Sequence, residues 1–557
     1  MKSPKAVDVV YHGQALTLKA GTSVLDVLGQ ELESSASPIT GAVIHNRLVG
    51  LKHRLLSSTE LVPVSRSDRE GFLIYFRSVC LVLAEAAHAI APTLQLVVGQ
   101  AIKGGYHIMV QNRPRDVSLE QVIDALRARM RAIVENDRPF RSWRIEIQEA
   151  EGLFEQQGGS DKVQLLQTWH SSHVPIISCG EYYDIKYGPF LPSTGHIDDF
   201  ALQPYERGFV LSFSTQDPNR RRLDVEDRPK LFRTYQEARE WNRLLGVENV
   251  GQLNELCLNG GIQEIIKVVE GLHEKKVAAI ADQIAQSRDV RLVLIAGPSS
   301  SGKTTFSKRL ALQLRVNSLK PVALSLDNYY IDREDTPLDE DGNYDFESIE
   351  AIDLERFNQD LVGLLAGDEV MTPRFNFQSG KRVPPEKFQP MRLRDDQILI
   401  IEGIHGLNDR LTSSVPAHRK FKIYISALTQ LCIDNHNRIF TSDTRLLRRI
   451  VRDRLFRGYT AADSIAIWPR VKRGELKWIY PYQESADVMF NSALIYEPAV
   501  LHVFAERFLM EIPPNHPSRI VGHRLRKFID LFVPVFPDNV PQTSILREFI
   551  GGSGFKY

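Results

Sequence analysis

The sequence predicts an α/β protein whose largest unit is a doubly wound parallel sheet, and three observations lead there. An apolar run from Leu292 to Ala296 breaks at Gly297 into a glycine- and serine-rich loop, after which Phe306, Leu310 and Leu314 recur at helical spacing. Two further buried-strand patterns, ILIIEGIHGL and FKIYIS, follow between helical or irregular stretches. Such alternation favours parallel pairing, and ligands of parallel sheets bind beyond the carboxyl ends of the strands. The loop after Ala296, Asp327 at the end of PVALSLDNYY and Glu402 at the end of ILIIE all fall at such ends. They are expected to converge on one site.

The loop itself carries the strongest chemistry. Gly297, Ser299, Ser300, Ser301, Gly302, Lys303 and Thr304, followed by Thr305, form a complete phosphate-binding loop in a strand–loop–helix setting. Glycines let backbone N–H groups close around phosphate oxygens, and the helix N-terminus adds a positive dipole end. Lys303 is expected on the β- and γ-phosphates of ATP and the Thr304 hydroxyl on Mg²⁺, with Glu402 as the second metal-side acid. Asp327 is placed to accept a proton from a substrate hydroxyl. Arginines crowd DTRLLRRIVRDRLFRG, where Arg445, Arg449 and Arg452 share a helix face and Arg457 follows. The expectation is a lid closing over the nucleotide.

Composition bounds the rest. With 69 basic and 69 acidic residues among 557, no global field favours nucleic acid or an anionic membrane. Four scattered cysteines, Cys80, Cys179, Cys257 and Cys432, argue against a zinc site and a disulfide framework. The N-terminus lacks a signal-type apolar core, and no apolar run reads as long enough to span a bilayer, so the expected location is cytoplasmic.

Residues 1–66 alternate apolar and polar positions around a short helical pattern at Val24 to Leu28, as in a small ubiquitin-like α/β module. This stretch resembles the TGS domain of threonyl-tRNA synthetases. Residues 67–215 carry FRSVCLVLAEAAHAIAPTLQLVVGQAIKGGYHIMV and YYDIKYGPFLPSTGHIDDF, which are similar to the α+β editing domain of the same synthetases. The resemblance places the four editing positions at Arg77, Leu81, Lys186 and Phe190. Leu and Phe offer no lone pair and Arg stays protonated, so the editing chemistry is not expected. His170 and His173 lack a third ligand and read as surface histidines. Residues 216–287 read as a charged and helical connector, with Arg220, Arg221 and Arg222 on a solvated face. Residues 511–557 read as a C-terminal tail, one helical piece in HRLRKFIDLF and no assigned chemistry.

Residues 288–510 contain GPSSSGKTT, SLDNYY, YDFESIEAID, PRFNFQSGKR, LIIEGIHGL, DTRLLRRIVRDRLFRG and YQESADVMF. These motifs, in this order, resemble the uridine kinase and phosphoribulokinase family. The resemblance implies a P-loop kinase domain using ATP and Mg²⁺, with Asp327 as general base. It implies Arg449 and Arg452 on the phosphates, Tyr330 and Glu347 near the nucleoside, and Phe375 and Phe377 as aromatic platforms. Where that family has a base-reading His, this chain has Gly380. The family's lid Arg and Gln fall at Tyr459 and Ile467. An apolar, stacking pocket is therefore expected, accepting a nucleoside other than a strictly selected pyrimidine. Two alternatives stand beside it: a sugar phosphate or other small alcohol as acceptor, or a nucleotide-gated RNA- or translation-associated binding protein. RNA or protein contact through the N-terminal half and a homo-oligomer are open expectations.

Overall fold

The computed structural model describes residues 6–29, 31–34, 37–102, 104–213, 227–376 and 378–556. Phe377 and the Arg220–Arg222 cluster lie outside them.

The N-terminal module is a five-stranded sheet in the order Gln14–Lys19, Ala6–Tyr11, Thr59–Ser65, Ile39–Ile44, Arg47–Gly50, with Ala6–Tyr11 parallel to Thr59–Ser65. The Val24–Leu28 helix starts on a capping box in which Ser23 and Asp26 bond each other's backbone N–H, and it buries Val24 and Leu28.

In the next unit, a four-stranded antiparallel sheet and a three-stranded one pack around the Arg69–Ile90 helix. That helix corrects one expectation. At 22 residues, with a mean hydropathy of 1.6 over its most apolar window, it is long and apolar enough to cross a membrane. Here 78% of that window is buried inside the protein, because the helix is apolar on all sides and covered on all sides.

The third unit carries five parallel strands in the order Lys320–Ser325, Gln397–Glu402, Leu292–Ala296, Lys420–Ser426, Val488–Asn491. Leu292–Ala296 is central and every residue of it is buried, which explains its uninterrupted apolar sequence. The register sets Ile295 and Ser325 opposite Glu402, so the carboxyl ends of three strands form one row. Asp327 lies just past that row, in a 3-10 turn over Leu326–Tyr329 rather than on the strand itself. The stretch after Thr372, irregular by sequence, contains a short hairpin pairing Phe375–Asn376 with Lys381–Arg382.

The helices following residue 228 do more than connect. Ile262–Gln286 buries Ile266, Val277, Ala281 and Ile284 in the same apolar cluster as Val293, Phe306 and Leu310 of the loop-bearing sheet. Arg309 bonds Glu274 across this contact at 2.8 Å. The cluster runs on into Leu525, Ile545 and Phe549, so the C-terminal segment is part of the same core.

Candidate active site: a phosphate loop with converging acids

The loop enters its helix through Gly302, whose φ of +84° is left-handed, and Ser300 is also left-handed at +58°. A serine in that region stores strain, held by contacts on every side. The Thr441–Phe456 helix supplies most of them. Arg445 donates to the Ser299 carbonyl at 3.1 Å and pairs with Glu475 at 2.5 and 2.7 Å. Arg448 donates to the Ser300 carbonyl at 3.3 Å and pairs with Glu497 at 2.6 and 2.5 Å. Both arginines are essentially inaccessible to solvent. Arg449 reaches the Ser299 hydroxyl at 3.2 Å and Arg452 the Ser300 hydroxyl at 3.4 Å.

This corrects the reading of one arginine face as a free lid. Arg445 is a buried brace beneath the loop, Arg448 is a second brace that sequence reasoning missed, and half-exposed Arg457 pairs with Asp453 at 3.4 Å. Among the described residues, Arg449 and Arg452 present guanidinium groups to the loop's hydroxyl side chains.

The predicted acids and cation do come together. Thr304 donates its hydroxyl to Glu402 at 2.9 Å. Lys303 folds over the loop, donating to the carbonyls of Gly297 at 2.9 Å and Pro298 at 3.2 Å. Burial holds its ammonium below the ordinary lysine range, against the opposing pull of Glu402, Glu548 and Glu347. Burial likewise raises Glu402, with Lys303 and Thr304 pulling it down and Asp327 pushing the same way as burial. Asp327 is open to solvent within the cleft. The surrounding protein strips part of its water and lifts its carboxyl above the usual range, opposed by Lys303 and Arg457.

On the acceptor side, Glu347 is half-buried against Gly474. Burial first, and then the like charge of Glu475, push its carboxyl up to about 7, although Lys303 and Arg449 favour ionisation. Tyr330 donates to the Phe346 carbonyl at 3.3 Å, and its ring lies 5.7 Å from that of Phe375. Burial, and then the negative charges of Asp327 and Glu347, push the Tyr330 hydroxyl above its ordinary range.

Gly380 has a φ of +68°, and a Cβ there would stand 2.6 Å from Nε of Arg333. The hairpin therefore has a guanidinium lying over it. The signal for Arg333 lay outside the aligned motif, so alignment alone could not find it. Tyr459 and Ile467 are exposed.

At the degenerate editing positions, Arg77 projects from its helix to within 2.7 Å of where a Cβ on Gly188 would stand, between Lys186 and Phe190 in sequence. Lys186 donates to Ser142 at 2.9 Å and Leu81 is buried in the apolar core. His170 and His173 are exposed.

Comparison with known proteins separates the two halves. The N-terminal half matches threonine–tRNA ligases. It is 27% identical to that of Desulforamulus reducens over 254 residues, covering 42% of this chain and 38% of the relative. Against the Symbiobacterium thermophilum enzyme the identity is also 27%, covering 41% of this chain and 36% of the relative. The chain thus spans less than two-fifths of the length of these curated relatives. Among solved structures, D-glycerate 3-kinase from Cryptococcus neoformans is similar at 14% identity with a TM-score of 0.22, covering 48% of this chain and 89% of that one. The stretch that folds into the loop-bearing sheet, residues 292–495, matches the family model described as Phosphoribulokinase / Uridine kinase family.

Proposed function

We propose that the protein is an ATP-dependent kinase that transfers a phosphoryl group to a hydroxyl of a small molecule, a nucleoside being the acceptor the site fits best. One observation carries this reading. Lys303, the Thr304–Glu402 pair and Asp327 meet at one row of strand ends, which unites phosphate binding with a group able to take a hydroxyl proton.

Hard oxygen donors suit Mg²⁺, and Thr304 Oγ1 and Glu402, 2.9 Å apart, are the residues that would hold it. A metal there would neutralise phosphate charge. Lys303 exchanges its loop carbonyls for phosphate oxygens, while Arg449 and Arg452 add planar cations where negative charge gathers. Asp327 orients the acceptor hydroxyl and takes its proton, and a base of slightly raised pKa takes it more readily.

Tyr330 and Phe375 offer the acceptor aromatic faces, and Glu347 receives a ribose-type hydroxyl. Arg333 has only donors, so it suits acceptor atoms on a base edge, which purines and pyrimidines both carry. The proposed acceptor is a purine or modified nucleoside, with uridine poorly used. The N-terminal half acts as a binding or regulatory appendage. Phosphoryl transfer from Mg·ATP to a panel of nucleosides, sugar phosphates and small alcohols tests this. A uridine kcat/KM about a hundredfold above every other nucleoside would overturn the acceptor assignment.

A further inference from the structure

The tail to which the sequence assigns no chemistry reaches the phosphate loop. Beyond Val540 the chain folds into a hook. Arg547 fastens it by donating to the carbonyls of Pro537 at 2.8 Å and Val540 at 2.7 Å, and the Gly554 N–H closes onto the Gln542 carbonyl at 2.9 Å. Ile545, Leu546 and Phe549 are fully buried. Phe549 lies 5.0 Å from the guanidinium of Arg448 and 5.6 Å from that of Arg452, against two of the four arginines that reach the loop. Ile545 presses so closely on the loop that its Cγ2 stands 2.3 Å from where a Cβ on Gly302 would be.

Between these apolar anchors, Glu548 points at the start of the Lys303–Val316 helix. Its carboxylate accepts from the Thr305 N–H at 3.2 Å and the Thr305 hydroxyl at 2.8 Å, and it faces Arg452 at 3.5 Å. Its side chain is 9% exposed. The first N–H groups of a helix have no intrahelical acceptor and carry a partial positive charge, which is why such termini bind phosphate. Here a carboxylate of the chain itself already sits on that donor and on a cation beside it.

We propose that the C-terminal hook is a built-in gate on the nucleotide site, in which Glu548 holds a phosphate position on Thr305 and Arg452 and must leave when nucleotide binds. The inference rests on the nucleotide reading above and deepens it. A carboxylate and a phosphate oxygen cannot share one N–H, so nucleotide binds only the fraction of molecules with the hook released. Its apparent affinity is lowered by that fraction. Release takes the Glu548 carboxylate off Thr305 and Arg452, opens the space over Gly302, and uncovers Phe549 and Ile545. A partner or condition that holds the hook away therefore activates the site without touching it.

The test uses the full chain and binding rather than turnover. Mg·ATP is titrated calorimetrically into the unmutated protein, Glu548→Gln and Glu548→Ala, with thermal midpoints recorded to verify folding. Amide exchange across residues 541–556 of the unmutated protein is measured with and without Mg·ATP, a readout that needs no variant. The gate predicts binding about tenfold or more tighter in both variants. It also predicts faster exchange at 545–550 when nucleotide is added. Unchanged or weaker binding by Glu548→Gln, together with slower exchange on adding nucleotide, overturns the gate and makes the hook a wall of the nucleotide pocket. Binding without phosphoryl transfer to any acceptor sinks the kinase reading and leaves the gate standing. No binding by any of the three proteins overturns both.

Discussion

Lys303 and Asp327 lie within electrostatic reach of each other yet carry separable tasks, so their substitutions should fail differently. Lys303→Ala removes the cation that meets phosphate oxygens and should weaken Mg·ATP binding and turnover together, read as a rise in Kd by calorimetry alongside a fall in kcat. Glu347 yields a pH prediction. Its carboxyl is raised from an ordinary 4.5 to about 7, so between those values the folded protein binds more protons at this site than the unfolded chain. Stability from this group is present at low pH and falls as pH rises from 4.5 towards 7. In Glu347→Gln that decline should flatten, visible as a smaller drop in Tm across the window. An unchanged slope would remove Glu347 from the account. The loop, Asp327 and Glu402 were legible in the sequence because each is tied to a strand end by a short local pattern. Arg333 over Gly380 was not, because nothing in sequence spacing says that a side chain so far upstream lies against that glycine.

At the scale of elements, the Thr441–Phe456 helix shows what charge patterning can and cannot reveal. Its arginines are visible in sequence, but their acids, Glu475 and Glu497, come from later helices, so buried braces and exposed cations look alike before folding. Removing one partner of a buried pair strands the other charge in the interior, at a cost of about 3–5 kcal/mol. Arg448→Ala should therefore lower Tm sharply and loosen the loop, whereas Arg457→Ala, half-exposed, should change stability by less than about 1 kcal/mol. Denaturant unfolding of the two variants checks this, and equal effects would contradict the distinction between brace and surface pair.

One apolar cluster runs from Ile145 through the Ile262–Gln286 helix and the loop-bearing sheet to Ile550, while the N-terminal sheet and the Arg69–Ile90 unit keep clusters of their own. A fragment beginning at residue 288 loses that helix and bares the face formed by Phe306, Leu310 and Leu314. It should aggregate, and more so than one beginning at residue 145, which keeps the helix and the whole of this cluster, as sedimentation and circular dichroism would report. Sequence patterning showed this stretch as helical but not what it covers, since its pairing with the Lys303–Val316 helix is set by tertiary packing. The central claim is that this scaffold positions Asp327 to activate an acceptor hydroxyl beside a loaded phosphate loop. The most direct measurement is single-turnover phosphoryl transfer from Mg·ATP to the best acceptor, comparing the unmutated chain with Asp327→Asn under saturating nucleotide. The account predicts nearly unchanged nucleotide affinity and a rate about 10²–10⁴-fold lower in the variant. A variant that transfers phosphate at the unmutated rate would contradict it.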